Sequence, residues 1–114
     1  MLKANGLYED SLIAIYGDHF GLTKSDEQIA LKVTEFLGYD YDFDIMLNIP
    51  LIIHIPGYEQ TREVTISGGQ MDFMPTICYL LGIENLDTLY LGQNLLTAKN
   101  GFVAQQTHLL KGSF

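Results

Sequence analysis

The chain has 114 residues, a net charge of −8 and a single cysteine, Cys78. This length supports one small domain, and a hydrophobic content of 47% is enough for a packed core, which excludes global disorder. The acidic balance argues against nucleic-acid binding, which calls for a basic surface. The single cysteine excludes an internal disulfide, and no apolar run reaches the roughly 18 residues that cross a bilayer.

The first third of the chain predicts a helix end, a strand and a helix. Residues 1–7 resemble the last turn of a helix, with Gly6 at the C-cap, and a domain that opens in this way is expected to be part of a larger one. Residues 11–16 are apolar without alternation, which is typical of a strand buried on both faces of a parallel sheet. Ser25 begins the capping-box pattern of a helix, which Gly38 ends.

The middle of the chain predicts a loop and a second buried strand. Residues 39–48 alternate aromatic side chains with aspartates and indicate a loop. Residues 49–55 repeat the buried-strand pattern before a Pro-Gly stop. In residues 62–67 polar and apolar side chains alternate more clearly, which indicates a short strand.

The last third predicts a helix over residues 70–81, a turn-rich connector over residues 91–96, and a small hairpin from residues 102–105 and 108–110. Strands that alternate with helices indicate an α/β layer fold. Only two strands look fully buried, however, and two strands do not complete a covered parallel sheet. This pattern again predicts a part of a larger domain.

The strongest chemical signal is the pair Asp18-His19, directly after the first strand. Ligands of open α/β sheets bind beyond the carboxyl ends of the strands, and a carboxylate and an imidazole are both good ligands for Zn²⁺ or Mn²⁺. Gly17 permits the sharp turn that would bring both side chains to one ion. The alternative is that Asp18 caps a loop and His19 is a surface histidine, and these residues alone leave both possibilities open.

Four segments in order resemble the C-terminal part of the catalytic domain of lipoteichoic acid synthases, which are phosphoglycerol transferases of the sulfatase and alkaline phosphatase superfamily. The segments read SLIAIYGDHFG, NIPLIIHIPG, GGQMDFMPTICYLLGI and LGQNLL, and the resemblance covers residues 6–96. It implies a partial alkaline-phosphatase/sulfatase-like α/β sandwich of mostly parallel strands with flanking helices and a small C-terminal hairpin. It also implies that residues 1–114 form one fragment, the C-terminal portion of an extracellular catalytic domain.

The resemblance implies a function as well. In that family the pair matching Asp18 and His19 supplies two ligands to a divalent cation, usually Mn²⁺. An upstream Glu and a nucleophilic Thr complete the site. The Thr attacks phosphatidylglycerol, and a growing polyglycerolphosphate chain accepts the glycerophosphate. Every threonine of this chain follows the Asp-His pair, so no nucleophile is assigned here, and we expect the chain to be inactive alone. Its parent is expected to be anchored in the cell membrane and to act on the extracellular face.

Two alternatives stay open beside the transferase. The first is a sulfuric ester or phosphodiester hydrolase of the same superfamily, and the second is a noncatalytic binding module on the same scaffold. In each case we expect apolar surfaces that pack against a missing part of the sheet, and therefore self-association of the isolated chain.

Three further residues are predicted to be structural. His54 lies within the second strand and is expected to pack against a neighbouring element. Asp72 is expected to accept hydrogen bonds from free N–H groups of a helical first turn rather than to bind a metal. Cys78 lies in an apolar helix and is expected in the core.

A calcium-binding loop is not predicted, although Asp40, Asp42 and Asp44 have the spacing of its opening. The sixth position of such a loop needs glycine and holds Ile45, and the twelfth needs glutamate and holds Leu51.

Overall fold

The computed structural model of the chain describes residues 1–83, 89 and 91–104. The protein divides into two compact units, Met1–Gln60 and Thr61–Phe114, and each is described by itself. The regular elements of the described residues are, in chain order, a 3₁₀ helix at Lys3–Asn5, a second at Tyr8–Asp10, strand β1 at Ile13–Tyr16, helix α1 at Glu27–Leu37, helix α2 at Phe43–Leu47, strand β2 at Leu51–His54, a third 3₁₀ helix at Gln70–Asp72, and helix α3 at Phe73–Leu80.

The first unit contains a two-stranded sheet in which β1 and β2 run antiparallel, with Ile13 opposite His54 and Tyr16 opposite Leu51. Both predicted strands are therefore present, but their expected parallel arrangement is wrong for this pair. The physical reason is that an unbroken apolar run indicates a strand meant to be covered, but it carries no information about strand direction. Apolar side chains of the sheet are exposed, as expected for strands that pack against a missing part: Ile15 is 62% exposed.

Helix α1 begins one residue later than the sequence predicts. The N-cap is Asp26 rather than Ser25, and its Oδ1 accepts hydrogen bonds from the backbone N–H groups of Gln28 and Ile29 at 3.0 and 3.1 Å. The predicted end is confirmed, because Gly38 adopts the left-handed conformation with φ of 79° and closes the helix.

The apolar residues of α1 differ in burial. Ile29, Val33 and Leu37 are partly buried, whereas Phe36 is 88% exposed.

Helix α2 lies where the sequence predicted a loop. Asp42 acts as its N-cap, with Oδ1 accepting the Ile45 N–H at 2.8 Å. The helix buries Met46, which is only 1% exposed, beside Tyr41 at 6%. The hydroxyl of Tyr41 donates to the Leu22 carbonyl at 2.6 Å. The loop prediction relied on the alternation of aromatic side chains with aspartates. One of those aspartates, Asp42, is instead the N-cap of a helix.

The predicted helix end near the N-terminus is present, with Gly6 at its C-cap, and the helix is a short 3₁₀ helix. Gly6 has a φ of 69° and its N–H donates to the Lys3 carbonyl, so it is the left-handed cap of the 3₁₀ helix Lys3–Asn5.

In the second unit the predicted helix over residues 70–81 is present as two consecutive pieces, the 3₁₀ helix Gln70–Asp72 and α3. Pro75 lies in the first turn of α3, where its missing N–H costs no helical hydrogen bond. Cys78 is 7% exposed, which confirms its place in the core.

The remaining predictions for this unit have mixed outcomes. Residues 91–96 are bends and turns as predicted, whereas residues 62–67 form no strand. Residues 102–104 are not in a strand, and the rest of the predicted hairpin lies outside the described residues.

The two candidate caps of α1 give a stability test. Replacing Asp26 with Ala removes the acceptor of two backbone N–H groups and should lower the free energy of unfolding by about 1 kcal/mol. The neighbouring change Ser25→Ala should leave it within about 0.5 kcal/mol of the unmodified protein. Urea unfolding monitored by circular dichroism measures both, and a larger loss for Ser25→Ala would contradict the assigned cap.

Candidate metal centre

Asp18 and His19 lie next to one another just beyond the carboxyl end of β1, where the sequence places them. His19 Nε2 is 3.7 Å from Asp18 Oδ1, and the two side chains are 74% and 91% exposed respectively. Gly17, between β1 and this pair, passes close to Ile49, because a Cβ on Gly17 would stand 3.3 Å from the Cβ of Ile49. The strand end thus presents a carboxylate and an imidazole together to solvent.

The imidazole of His19 is oriented by the backbone. Its Nδ1 lies at hydrogen-bond distance from the Phe20 carbonyl oxygen, and since a carbonyl only accepts, Nδ1 carries the hydrogen. In the neutral ring the lone pair is then on Nε2, the atom that faces Asp18. Both atoms are acceptors that face the same space at the strand end, and a proton or a metal ion bound between them would be stabilised by both.

The donor set fits a divalent cation. Ligand bonds of about 2.0–2.2 Å place two oxygen or nitrogen ligands of one ion roughly 3–4 Å apart, and the observed 3.7 Å lies within that range. A metal-ligating histidine commonly donates its other ring N–H to a backbone carbonyl, as His19 does to Phe20. Among the described residues no group of three or more His, Cys, Asp or Glu side chains could hold a metal, and two ligands alone do not complete a shell of four to six.

His54 packs against Tyr8, which confirms its predicted structural place. The two rings stack with centroids 4.1 Å apart and an angle of 20° between their planes. His54 Nε2 and Nδ1 lie 3.3 Å from the carbonyl and hydroxyl oxygens of Tyr8, respectively. The sequence did not reveal Tyr8 as the partner, because the two residues are 46 positions apart and neither belongs to a spacing motif.

Asp72 is a structural residue, as predicted, but its partners differ from those expected. It is 4% exposed, and its carboxylate accepts the Gly69 N–H at 2.8 Å and the Gln93 N–H at 2.7 Å. It therefore connects the entry of the helical segment to the distant 91–96 connector, instead of satisfying only first-turn N–H groups.

Thr76 makes a second link to the same connector. Its hydroxyl donates to the Asp72 carbonyl at 2.6 Å and accepts the Leu95 N–H at 3.1 Å. At Gly92 a Cβ would overlap the Met71 carbonyl, so only glycine permits this close approach. Both oxygens of the buried carboxylate are thus engaged by backbone donors, which is the structural role that the sequence predicted for Asp72.

Asp42, one of the three aspartates with the spacing of a calcium loop, caps α2, and its Oδ1 accepts the Ile45 N–H at 2.8 Å.

Comparison with known proteins gives the family. A family model described as Sulfatase matches residues 1–83, and the chain belongs to this family. It is 40% identical over 102 residues to a lipoteichoic acid synthase-like protein of Bacillus subtilis (strain 168), covering 84% of this chain and 16% of that protein. It is 39% identical over 99 residues to a lipoteichoic acid synthase of Staphylococcus saprophyticus, covering 84% of this chain and 15% of that protein. It is 36% identical over 103 residues to lipoteichoic acid synthase 2 of Bacillus subtilis (strain 168), covering 87% of this chain and 15% of that protein.

The chain thus spans about a sixth of the length of these relatives. No helix among its described residues is long and apolar enough to cross a membrane.

The contrast between Asp72 and Asp18 gives a second test. Asp72→Ala removes a buried acceptor of two backbone N–H groups and should lower the free energy of unfolding by about 3 kcal/mol. Asp18→Ala removes an exposed side chain and should leave the urea midpoint unchanged. Chemical denaturation of both variants checks the pair, and a large shift for Asp18→Ala would argue for a structural rather than a ligating role.

Proposed function

We propose that this chain supplies Asp18 and His19 as two ligands of the divalent cation in a phosphoglycerol transferase, which polymerises glycerolphosphate from phosphatidylglycerol during lipoteichoic acid synthesis. The observation that carries the proposal is the Nε2–Oδ1 distance of 3.7 Å at the end of β1, in a chain of the sulfatase family. The relatives named lipoteichoic acid synthases support the transferase over other members of the family.

The residues of this chain have distinct parts in the proposed site. Asp18 offers an anionic oxygen that draws a cation to the strand end. The Phe20 carbonyl holds the His19 ring in the tautomer whose free lone pair faces the same point. Mn²⁺ accepts such mixed oxygen and nitrogen ligands, and the cation, when bound, would neutralise phosphoryl charge and lower the pKa of an attacking hydroxyl.

The nucleophile and the remaining ligands are proposed to lie outside this chain, since every threonine here follows the Asp-His pair. We further propose that the complete enzyme is anchored in the cell membrane and acts on its extracellular face, where phosphatidylglycerol and the growing polyglycerolphosphate chain meet the site.

Hydrolysis of a sulfuric ester or phosphodiester is the second candidate, because the same Asp-His pair would serve it and only the acceptor differs. A noncatalytic binding module is the third. Assays of the complete enzyme with phosphatidylglycerol separate them. A lengthening glycerolphosphate polymer identifies the transferase, release of free glycerophosphate or of sulfate from an aryl sulfate identifies a hydrolase, and no turnover identifies the module.

Substitution of the ligands tests the site. In the complete enzyme, Asp18→Ala and His19→Ala should each reduce polymer formation by more than about a hundredfold, because each removes a direct ligand of the cation. Mn²⁺ binding, measured from the free-ion signal in electron paramagnetic resonance, should weaken in parallel while circular dichroism stays unchanged.

Asp10→Ala is the matched control, since Asp10 is an exposed aspartate that precedes β1 at its opposite end. It should retain activity and Mn²⁺ affinity. Full activity of both Asp18→Ala and His19→Ala would contradict the assignment.

The 114-residue chain by itself should show no turnover of phosphatidylglycerol or of an aryl sulfate, and should bind Mn²⁺ weakly or not at all. The reason is that one carboxylate and one imidazole leave most of the coordination shell to water. Thin-layer chromatography of labelled lipid and Mn²⁺ titration measure the two properties, and turnover above the rate without protein would refute the expectation.

A further inference from the structure

The pairing of β1 with β2 needs a device that selects its register. The strands read IAIY and LIIH, so both are mainly apolar on both faces. Burial of one face discriminates against a slip of one residue, which moves every side chain to the other face. A slip of two residues keeps each side chain on its face, and sliding β1 by two residues would still oppose apolar side chains. A pair of four-residue strands also forms few hydrogen bonds that could select one alignment.

His54 is the polar residue of β2, and the described hydrogen bonds and ring contact of its side chain are all to Tyr8. Since a carbonyl only accepts, His54 Nε2–H donates to the Tyr8 carbonyl, and Nδ1 then accepts from the Tyr8 hydroxyl, both at 3.3 Å. The stacked rings add a third contact. The ammonium of Lys3 lies 4.6 Å from the centroid of the Tyr8 ring, which holds Tyr8 from another side.

Tyr8 is joined to β1 by a short piece of chain. It begins the 3₁₀ helix Tyr8–Asp10, and only residues 11–12 separate this helix from Ile13, the first residue of β1. A slide of β1 by two residues moves it about 7 Å along β2. With rings stacked at 4.1 Å and two hydrogen bonds between them, such a displacement breaks all three contacts. The contact between Tyr8 and His54 is therefore compatible with one register.

A second feature at the other end of β1 depends on the same register. Gly17 passes Ile49 so closely that a Cβ would stand 3.3 Å from the Ile49 Cβ. A slide would bring a residue with a side chain to this position, and Ile49 would have to move by a few tenths of an ångström to admit its Cβ.

We propose that Tyr8 and His54 form a register lock that sets the position of Asp18 and His19, which makes His54 a positioning residue. The inference rests on the proposed function of that pair. The two ligands follow β1 after a single glycine, so a slide of β1 carries them about 7 Å along the sheet. Displacements of about 1 Å already impair a catalytic site.

Disulfide cross-linking between β1 and β2 reports which residues of the two strands lie opposite one another, and it requires neither metal binding nor enzyme activity. The pair Ile15→Cys with Ile52→Cys joins residues directly opposite in the observed register, at a separation that a disulfide spans. The pair Ile13→Cys with Ile52→Cys is two positions out of register, on a diagonal of about 7–8 Å, and cross-links efficiently only after a slide. Cys78 is buried and remains in every variant.

The lock is removed by His54→Phe, which keeps a ring for stacking and loses both hydrogen bonds. The ratio of opposite to diagonal cross-linking should fall about tenfold, as expected for the loss of two modest hydrogen bonds. Tyr8→Phe removes one of them and should give a smaller fall. His54→Gln, whose amide can both donate and accept, should restore part of the ratio, which keeps the test valid if the phenylalanine variant folds poorly.

The same variants in the complete enzyme test the positioning role. Mn²⁺ affinity, measured by electron paramagnetic resonance, should weaken about tenfold in His54→Phe, while Asp10→Ala should leave it unchanged. An unaltered cross-linking ratio in His54→Phe overturns the lock. A fallen ratio with unaltered Mn²⁺ affinity overturns its positioning role. If the unmodified enzyme forms no polymer, the proposed function fails, and the cross-linking ratio still decides whether the lock exists.

Discussion

The antiparallel pairing of β1 with β2 is the interaction on which the first unit depends. It joins residues about 40 positions apart, Ile13 with His54 and Tyr16 with Leu51, and it determines where the chain emerges at the strand end with Asp18 and His19. An isolated pair of short strands is only marginally stable in water. The contacts that surround this pair, the Tyr8–His54 stack at one end and the Gly17–Ile49 approach at the other, therefore have an effect beyond their own small energies.

Four aspartates of this chain have different roles because their surroundings differ. Asp26 and Asp42 each cap a helix by accepting backbone N–H groups. Asp72 is buried and uses both oxygens to connect two segments of the second unit. Asp18 instead is exposed and stands beside an imidazole whose tautomer is set by a backbone carbonyl. Three of these four carboxylates thus have structural roles, and the net acidity of the chain by itself says little about function.

The sheet exposes apolar side chains, and the relatives that the chain matches are much longer than the chain itself. Ile15 and Ile52 are 62% and 59% exposed in the described structure, although their strands have the composition of buried ones. Such strands are normally covered on both faces by other elements. The Sulfatase match covers residues 1–83, and the chain covers 15–16% of each of these relatives.

The sequence by itself determined the features that depend on neighbours in the chain. It located both strands, the glycine that ends α1 and the Asp-His pair after β1, because apolar runs, caps and turns are local signals. It missed α2, since a pattern with a two-residue period concealed the capping role of Asp42. Tertiary structure alone decided the strand direction, the choice of Tyr8 as the partner of His54, and the link from Asp72 to Gln93. Each of these joins residues 21 or more positions apart, where the pairing is selected by packing and hydrogen bonding across the fold and leaves no periodic trace in the sequence.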